Sequence, residues 1–330
     1  AGMGFEPEQY THGCKNVHFE SNQVCYHQDI VVQIRAPEDD ELSRLQPGSL
    51  LLAMLHYPSH PTRNKLLAQL GLHAISMDSV VNDSGRRLIE NLHGTSWNAI
   101  WAGFQALRKN YPAFDTPNRR PLRVVIMGHG AVGSLAVDAA LKYGDEELSR
   151  DFLARGISGV LVEVIGRNIT ANYGALREVL READMLVDAT FRSNPTQYII
   201  PNELVGVLPA HAVIVDITAD PYIEGAEMTQ VKGIEGIPSG NLDEYEFRSD
   251  HPAFDQLPPA VQVQHRRRTI SCYSWPGLKP VECMQRYGQQ LAPMFRALAK
   301  VPYQALSPES ADYLERALYR GTLRHYELNL

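Results

Sequence analysis

The sequence predicts an α/β fold with two Rossmann-like domains and a cleft between them, the second being a doubly wound dinucleotide-binding domain. Its 330 residues are most simply two domains of ordinary size. Short apolar runs of strand length alternate with amphipathic segments along the chain. One strand-to-helix junction, Gly128 to Gly133, carries the glycine spacing G-x-G-x-x-G.

The first domain is predicted to contain three strands, because three β-branched or apolar runs are bounded by turn residues. The runs are DIVVQI (29–34), SLLLAML (49–55) and HAISMDSVV (73–81). Between them, the polar PEDDELSRLQPG (37–48) predicts a helical turn and loop, and TRNKLLAQLG (62–71) predicts a helix closed by Gly71. A long helix is then expected over TSWNAIWAGFQALRKNY, with Thr95 or Ser96 as its cap.

The segment PAFDTPNRRP (112–121) holds three prolines within ten residues, a composition typical of a domain crossing. We therefore expect residues 1–110 with 285–330 to form a substrate domain. Residues 111–284 then form the second, dinucleotide-binding Rossmann domain.

The second domain is predicted to be doubly wound, because its strands and helices alternate. Strand LRVVIMG precedes helix VGSLAVDAALKYG, and polar helical DEELSRDFLARGIS precedes strand GVLVEVIG. ADMLVDAT and HAVIVDI are further buried-type strands, on either side of YIIPNELVGVLP. Near the end, QQLAPMFRALAKV and PESADYLERALYRGTLRHYEL are predicted to be helical.

The glycine pattern predicts a bound dinucleotide because each glycine has a separate role. Gly128 permits the tight turn, Gly130 lets the backbone approach a pyrophosphate, and Gly133 permits close helix–strand packing. Ala131 and Val132 complete the loop at the positive end of the helix, where phosphates meet backbone N–H groups.

The end of the next strand predicts NADP(H), with NAD as the second choice. Enzymes that use NAD place an acidic residue there for the adenosine ribose. This chain has Gly166, Arg167 and Asn168 instead, and Arg167 supplies a forked cation suited to a 2′-phosphate. Glu163 lies three residues too early to bind the ribose. The alternative is a surface arginine on a turn, with NAD bound in another way.

Composition and charge narrow the function classes. A hydrophobic content of 44% and a charged content of 21% are typical of a soluble globular protein. The net charge of −7 argues against general nucleic-acid binding. The one dense basic run, His265 to Arg268, is interpreted as a solvated loop or strand edge.

The cysteines and the apolar runs point to the cytoplasm. None of the four cysteines belongs to a C-x-x-C pair, so reduced thiols are expected and no metal site is predicted: Cys14, Cys25, Cys272 and Cys283. No apolar run approaches the ~20 residues that span a bilayer. The polar and acidic start AGMGFEPEQY does not suit a signal peptide.

Several segments, in order, resemble the superfamily of alanine dehydrogenase and lysine-forming saccharopine dehydrogenase. GFEPEQYTHGCKNV, VVQIRAPEDDEL, LLLAMLHYPSH and YSWPGLKP are similar to segments common in this superfamily. VNDSGRRLI resembles the "DDQGRR" segment of saccharopine dehydrogenase, and ADMLVDATF with HAVIVDITAD resembles the second half of both nucleotide domains. The resemblance implies an oxidoreductase that acts on amino acids.

By this resemblance, three residues are candidates for the chemistry. His56 corresponds to the catalytic histidine, and Asp220 to the acidic residue beside the nicotinamide and substrate. Arg35 stands where the family carries a lysine; an arginine can grip a carboxylate but cannot carry a proton. Structural alternatives remain: a half-buried strand-end histidine for His56 and a turn cap for Asp220. His60 follows His56 across a proline turn, so helical metal-ligand geometry is not supported.

The resemblance also implies the walls of the cofactor site. The residues implied are Ala189, Thr190 and Phe191 after the fourth strand, Ile217 after the last, and Ser274 and Trp275 over the nicotinamide. Trp275 is larger than its family equivalents, so it either shapes the pocket or fills the cleft. The family's N-terminal "R-x-A-L-T-P" segment is missing. Either the chain is truncated relative to the functional protein, or Arg35 has taken over carboxylate binding.

The leading hypothesis is an NADP(H)-dependent amino-acid or opine-type dehydrogenase. It would transfer hydride reversibly to the imine of a 2-oxo acid and an amine or amino acid, with the secondary-amine-forming, saccharopine-dehydrogenase-like type preferred. The alternatives are an NAD-linked alanine dehydrogenase and a degenerate dinucleotide-binding sensor. No nucleic-acid or membrane partner is expected, and a homo-oligomer is left open.

Overall fold

Over the residues that it describes, the computed structural model contains an all-parallel sheet of three strands and a mostly parallel sheet of six. It describes residue 4 and residues 6–192, 194–223 and 230–329. In chain order the strands are β1 (Ile30–Arg35), β2 (Leu50–Met54), β3 (His73–Ser76), β4 (Leu122–Met127), β5 (Val160–Ile165), β6 (Met185–Asp188), β7 (Val213–Asp216), β8 (Glu246–Phe247) and β9 (Arg268–Ser271).

The α-helices are mostly short, with two long ones. They are α1 (Pro7–Thr11), α2 (Asn22–Tyr26), α3 (Asp39–Leu42), α4 (Pro61–Gln69), α5 (Leu92–Asn110), α6 (Ala131–Leu141), α7 (Glu146–Ala154), α8 (Arg167–Thr170), α9 (Tyr173–Arg181), α10 (Asn202–Val205), α11 (Pro280–Leu298), α12 (Tyr313–Arg320) and α13 (Leu323–Leu328). The predicted α/β class with parallel sheets is therefore confirmed.

Two compact units divide the chain at positions that differ from the proline-rich crossing. The first unit is Ala1–Asn91 with Pro280–Leu330, and the second is Leu92–Lys279. Helix α5 lies in the second unit because its apolar face packs on β7 and β9. The prolines at 112–121 instead follow α5 inside that unit.

The first unit is built on the all-parallel sheet β1-β2-β3. Side chains of the central strand alternate between two cores, so both of its faces are covered. Leu50 and Leu52 pack in a cluster with residues of α11 and α12. Leu51 and Ala53 pack in the other cluster, which includes Leu42 of α3 and Leu67 of α4. The third strand ends at Ser76, earlier than predicted, because a 3-10 turn occupies Met77–Ser79.

The second unit is built on a sheet of strand order β5-β4-β6-β7-β9-β8, in which only β8 is antiparallel. One face packs against α5 and α6, and the other against α9 and α10. Alternate residues of β4 supply the two faces: Val124 and Ile126 face the first, Val125 and Met127 the second. This is the doubly wound arrangement predicted from the alternating strands and helices.

One local prediction was wrong, and another was incomplete. Helix α5 begins at Leu92, so Thr95 and Ser96 lie inside its first turns; the Ser96 hydroxyl donates to the carbonyl of Val132. The basic run is not simply solvated, because Arg266 pairs with Asp255 and Arg268 with Glu246. Arg267 donates to four main-chain carbonyls, so the run ties neighbouring segments together.

Candidate active site

The glycine loop has the geometry that its three predicted roles require. Gly128 has φ +93°, and a Cβ there would meet the carbonyl oxygen of Ala189 at 2.7 Å. A Cβ at Gly133 would lie 2.2 Å from the carbonyl oxygen of Gly128, so helix and loop approach too closely for any side chain. At Gly130 a Cβ would meet nothing within 4 Å. The second glycine therefore borders open space, as a pyrophosphate cradle needs.

Helix α6 begins directly after this space. Gly130 is its cap residue and has no side chain to bond the first N–H groups. These donors sit at the positive end of an eleven-residue helix, which suits an anionic group. The residues of the loop thus fit a dinucleotide phosphate.

An arginine that follows the end of β5 has a guanidinium without a partner among the described residues. Gly166 caps the short helix α8, and Arg167 and Asn168 follow it as exposed residues. Among the described residues, the Arg167 guanidinium makes no hydrogen bond or ion pair. Its fork is therefore available to an external anion.

The carboxyl ends of β6 and β7 place two aspartates side by side, Asp188 opposite Asp216. Both are fully buried. Asp216 bonds the ammonium of Lys232 at 2.7 Å and accepts from Ser271 at 2.9 Å. Burial raises the pKa of Asp216, but Lys232 outweighs this and lowers it overall.

Asp188 bonds no such cation among the described residues. Its Oδ1 accepts from the N–H and hydroxyl of Thr190, whereas its Oδ2 is buried and has no hydrogen-bond partner within the described part of the chain. Burial, with the charge of Asp216 beside it, raises the pKa of Asp188 to about 6. The sequence did not identify this pair as functional, although both residues end apolar strands where ligands of such sheets bind.

Asp220 is held by an arginine that the sequence analysis missed. Arg192 Nη2 lies 2.6 Å from Asp220 Oδ2 and also donates to the carbonyl of Val231. The Arg192 side chain is 6% exposed and that of Asp220 is 35% exposed. Asp220 therefore presents an oriented, partly exposed carboxylate near the carboxyl end of β7.

The expected cofactor walls are divided between exposed and buried positions. Ala189 and Thr190 continue from β6, Phe191 is 90% exposed, and Ile217 is buried after β7. Ser274 is half-buried. Trp275 differs from the expectation: it lies in the core of the second unit, 2% exposed, and its Nε1 donates to the carbonyl of Asp216.

In the first unit, the strand ends bring Arg35 and His56 to one edge. Arg35 ends β1, and His56 follows β2 by two residues; the two strands are parallel neighbours. Asp78, which follows β3, joins them at this edge. Arg35 is exposed and pairs with Glu38 at 2.8 Å.

His56 and Asp78 form a histidine–carboxylate pair. His56 Nδ1 lies 3.5 Å from Asp78 Oδ2, and the His56 main-chain N–H donates to Asp78 Oδ1 at 3.2 Å. The Ser76 hydroxyl also donates to Asp78 Oδ1. Burial alone raises the pKa of Asp78, but its bonds and charge interaction with His56, and the Ser76 hydroxyl, lower it to about 2. The carboxylate therefore stays ionised and faces a half-exposed imidazole.

A loop carrying two arginines follows the same strand. Asn82 Oδ1 accepts from the main-chain N–H groups of Ser84 and Arg86, which tightens the turn. Arg86 and Arg87 are exposed, and their guanidinium groups have no partner among the residues described. Two free cations thus lie in the loop that leaves the edge containing Asp78.

Two other kinds of feature, a metal-binding cluster and a membrane-spanning helix, are absent from the described ranges. No group of three or more His, Cys, Asp or Glu side chains there could hold a metal ion. No helix there combines the length and the apolar character needed to cross a bilayer.

Comparison with known proteins supports the resemblance drawn from the sequence. Residues 1–93 match the family "Alanine dehydrogenase/PNT, N-terminal domain". The alanine dehydrogenase of Halomonas elongata is 22% identical over 229 residues, covering 66% of this chain and 62% of that protein. That of Bacillus subtilis is 25% identical over 233 residues, covering 66% and 60%. The chain therefore spans about three fifths of the length of these curated relatives.

Solved structures show the same fold. An L-alanine dehydrogenase superposes with a TM-score of 0.64 at 20% identity, covering 97% of this chain and 83% of that one. A transhydrogenase from Sinorhizobium meliloti superposes with a TM-score of 0.54 at 15% identity, covering 89% and 81%. The two-domain Rossmann-type architecture is thereby confirmed.

Proposed function

Because the chain is a relative of the alanine dehydrogenase superfamily, we propose that it is an NADP(H)-dependent dehydrogenase of amino acids or opines. It interconverts a 2-oxo acid plus an amine with the corresponding amino acid or secondary amine. The observation that carries the proposal is the His56–Asp78 pair at a strand-end edge, in a chain that also has a complete dinucleotide loop.

The proposed cofactor site uses backbone and one cation. Gly130 and the first turn of α6 hold the pyrophosphate, and Arg167 binds the 2′-phosphate through its unengaged fork. When bound, the nicotinamide supplies or accepts the hydride.

His56 moves the proton in this proposal. An N–H at Nδ1 directed to Asp78 fixes the ring and leaves Nε2 for the substrate nitrogen. Neutral imidazole takes the proton as the amine is oxidised, and imidazolium returns it in the reverse direction. Asp78 stabilises the charged form because it remains a carboxylate at every working pH.

Substrate carboxylates bind to arginines. The guanidinium groups of Arg86 and Arg87 have no partner among the described residues, so they are available to a carboxylate. The guanidinium of Arg35 leaves its exposed partner Glu38 to bind the substrate. Several cations suit a product with more than one carboxylate, which favours the secondary-amine type over alanine. Asp220, oriented by Arg192, binds the amine or water.

The reaction is tested by following NADPH absorbance with pyruvate or 2-oxoglutarate and a panel of amines and amino acids. We expect oxidation of NADPH with at least one pair, and fastest with an amino acid as the amine. Tight NADPH binding without turnover on any pair would identify a sensor instead.

The histidine is tested by His56→Ala. Turnover should be lost because the proton carrier is gone, while NADPH affinity stays within a few-fold. His60→Ala is the matched control, since this neighbouring histidine has no role in the proposal. Substantial residual activity in His56→Ala would make the histidine structural.

Cofactor choice is tested by Arg167→Ala, with the exposed Arg248→Ala as control. Loss of a bidentate phosphate contact should raise the Kd for NADPH at least about tenfold and leave that for NADH nearly unchanged. Faster turnover of the unmodified protein with NADH than with NADPH would favour an NAD-linked alanine dehydrogenase.

We also propose a cytoplasmic location. All four cysteines are free thiols, as expected in a reducing compartment.

A further inference from the structure

Strand β5 is the outermost strand on one side of the six-stranded sheet. Doubly wound dinucleotide sheets of order 3-2-1-4-5-6 carry one more strand outside this position. Here the chain passes from β5 through α8 and α9 directly to β6. Over the described ranges, no strand covers this edge.

The hydrogen bonds between β5 and β4 show which backbone N–H and C=O groups of β5 face β4 and which point away from the sheet. The N–H groups of Leu122 and Gly128 donate to the carbonyls of Gly159 and Ile165, so the odd-numbered residues from 159 to 165 face β4. The N–H and C=O groups of the even-numbered residues therefore point outward: Val160, Val162 and Val164. No hydrogen bond among the described residues reaches them.

The edge lacks the usual protection. Leu161 is 58% exposed and Val164 is 42% exposed. Proteins normally block such an edge with lysine, proline or a bulge. The strand has only one charge, Glu163, and that carboxylate pairs with Arg123 at 3.4 Å.

We propose that a second copy of this chain pairs with β5 in antiparallel fashion, joining two sheets across a two-fold axis. The axis is perpendicular to the sheet, so each face of one sheet continues into the same face of the other. Odd-numbered residues then lie opposite odd-numbered residues, and even-numbered opposite even-numbered. This assembly does not depend on the proposed function.

One register pairs all the outward backbone N–H and C=O groups of β5. With the axis at Val162, Val162 faces its copy and Val160 faces Val164 of the second copy. All outward N–H and C=O groups then find partners. Leu161 lies opposite Glu163 of the second copy.

The adjacent registers are blocked by groups already in use. An axis at Leu161 needs the carbonyl of Ser158, which accepts from the Tyr143 hydroxyl. An axis at Glu163 needs the carbonyl of Gly166, which accepts from Ile169 and Thr170, and it sets Glu163 against itself. Of these three registers, only the one with its axis at Val162 avoids backbone carbonyls that already accept hydrogen bonds.

Cross-linking tests the register in a background where the exposed Cys14 and Cys25 are replaced by serine. Val162→Cys sets two cysteines about 5.5 Å apart between Cα atoms, within disulfide range. Leu161→Cys sets them on a diagonal of about 7–8 Å, beyond that range. On a non-reducing gel after mild oxidation, the first should give covalent dimer and the second little. Equal yields, or none from Val162→Cys, would overturn the proposal.

A matched charge pair tests the assembly in solution. Leu161→Glu places like charges opposite Glu163 of the second copy, whereas Leu161→Lys places opposite charges there. Sedimentation should give a dimer for the unmodified protein and for the lysine variant. The glutamate variant should dissociate with a roughly tenfold higher Kd, since each symmetric dimer contains the pair twice. A monomeric unmodified protein, or equal Kd values for the two variants, would exclude the interface.

The two variants also separate folding from association. Within one copy, Arg123 is the register neighbour of Leu161, so it attracts the new glutamate and repels the new lysine. If the substitutions acted only on the stability of the single chain, the lysine variant would therefore be the more disrupted of the two.

Discussion

His56 has a backbone conformation that histidine seldom adopts, with φ +51° and ψ +53°. Such left-handed geometry costs roughly 1–2 kcal/mol for a residue with a Cβ. It is maintained by the main-chain bond to Asp78 and by Tyr57, which is fully buried immediately after it. Asp78 thus positions both the backbone and the ring of the proposed proton carrier.

Asp78→Asn should weaken both activity and stability while keeping the side-chain shape. The amide cannot stabilise an imidazolium, so we expect kcat to fall on the order of tenfold or more. The Asp78 pKa of about 2 lies below the value of a free aspartate, so the carboxylate stabilises the fold above pH ~4 and loses this as the pH falls toward 2. Urea unfolding should give a variant deficit of about 2 kcal/mol at pH 7 that shrinks toward pH 2.

At Asp188 we expect the stability to change with pH in the opposite direction. Its pKa of about 6 is raised, so its contribution to stability is complete below pH ~4 and is lost as the pH rises through 6. Asp188→Asn should therefore gain about 3 kcal/mol relative to the unmodified protein between pH 4 and pH 8. Unfolding free energies at the two pH values check this.

Asp216→Asn is the matched control at the neighbouring strand end. This change leaves the ammonium of Lys232 buried without its anion, so we expect a loss of about 3–5 kcal/mol near neutral pH. Equal effects at Asp188 and Asp216 would contradict the assignment of the charge to Asp216.

At the scale of an element, two glycines at the junction between β4 and α6 allow effects on folding to be distinguished from effects on ligand binding. Gly130→Ala adds a methyl group to open space, so the melting temperature should stay nearly constant while NADPH affinity falls at least tenfold. Gly133→Ala drives a methyl group into the Gly128 carbonyl and should lower both. Thermal melting with and without NADPH distinguishes the two. Comparable destabilisation by both would mean that Gly130 is also packed.

The elements show what the sequence could predict. Strands β2, β4, β6 and β7 are continuous apolar runs because both faces of a parallel sheet are covered, and this pattern is readable directly. The start of α5 was misplaced because Ser96 resembles a cap but bonds to Val132 instead. Trp275 is implied as a wall only by the family resemblance, and a large aromatic residue after a strand suits both a pocket and a core. Only its bond to the Asp216 carbonyl distinguishes them.

The paired residues show the corresponding limit for the site. His56 and Asp220 were named from local motifs, but their partners Asp78 and Arg192 lie 22 and 28 positions away. No periodicity links such positions, because the tertiary fold brings them together. The glycine loop was predicted in more detail because its constraints are local.

At the scale of the whole molecule, the two units differ in continuity. Residues 92–279 are one uninterrupted segment with two hydrophobic clusters of its own. We expect this segment, expressed alone, to fold and bind NADPH within about tenfold of the full chain's affinity. Circular dichroism and NADPH fluorescence titration provide the measurement, with Gly130→Ala in the same segment as the weakly binding control. An unfolded segment would mean that the first unit is required for its stability.

The split first unit sets an order of events during synthesis. Its strands emerge early, but one face of their sheet is covered by α11 and α12, which lie beyond the 188 residues from Leu92 to Lys279. At about 5–20 residues per second, Leu50, Leu52 and Ile75 wait on the order of 10–40 s for that cover. The unfinished sheet therefore exposes apolar surface throughout the interval in which the second unit is synthesised.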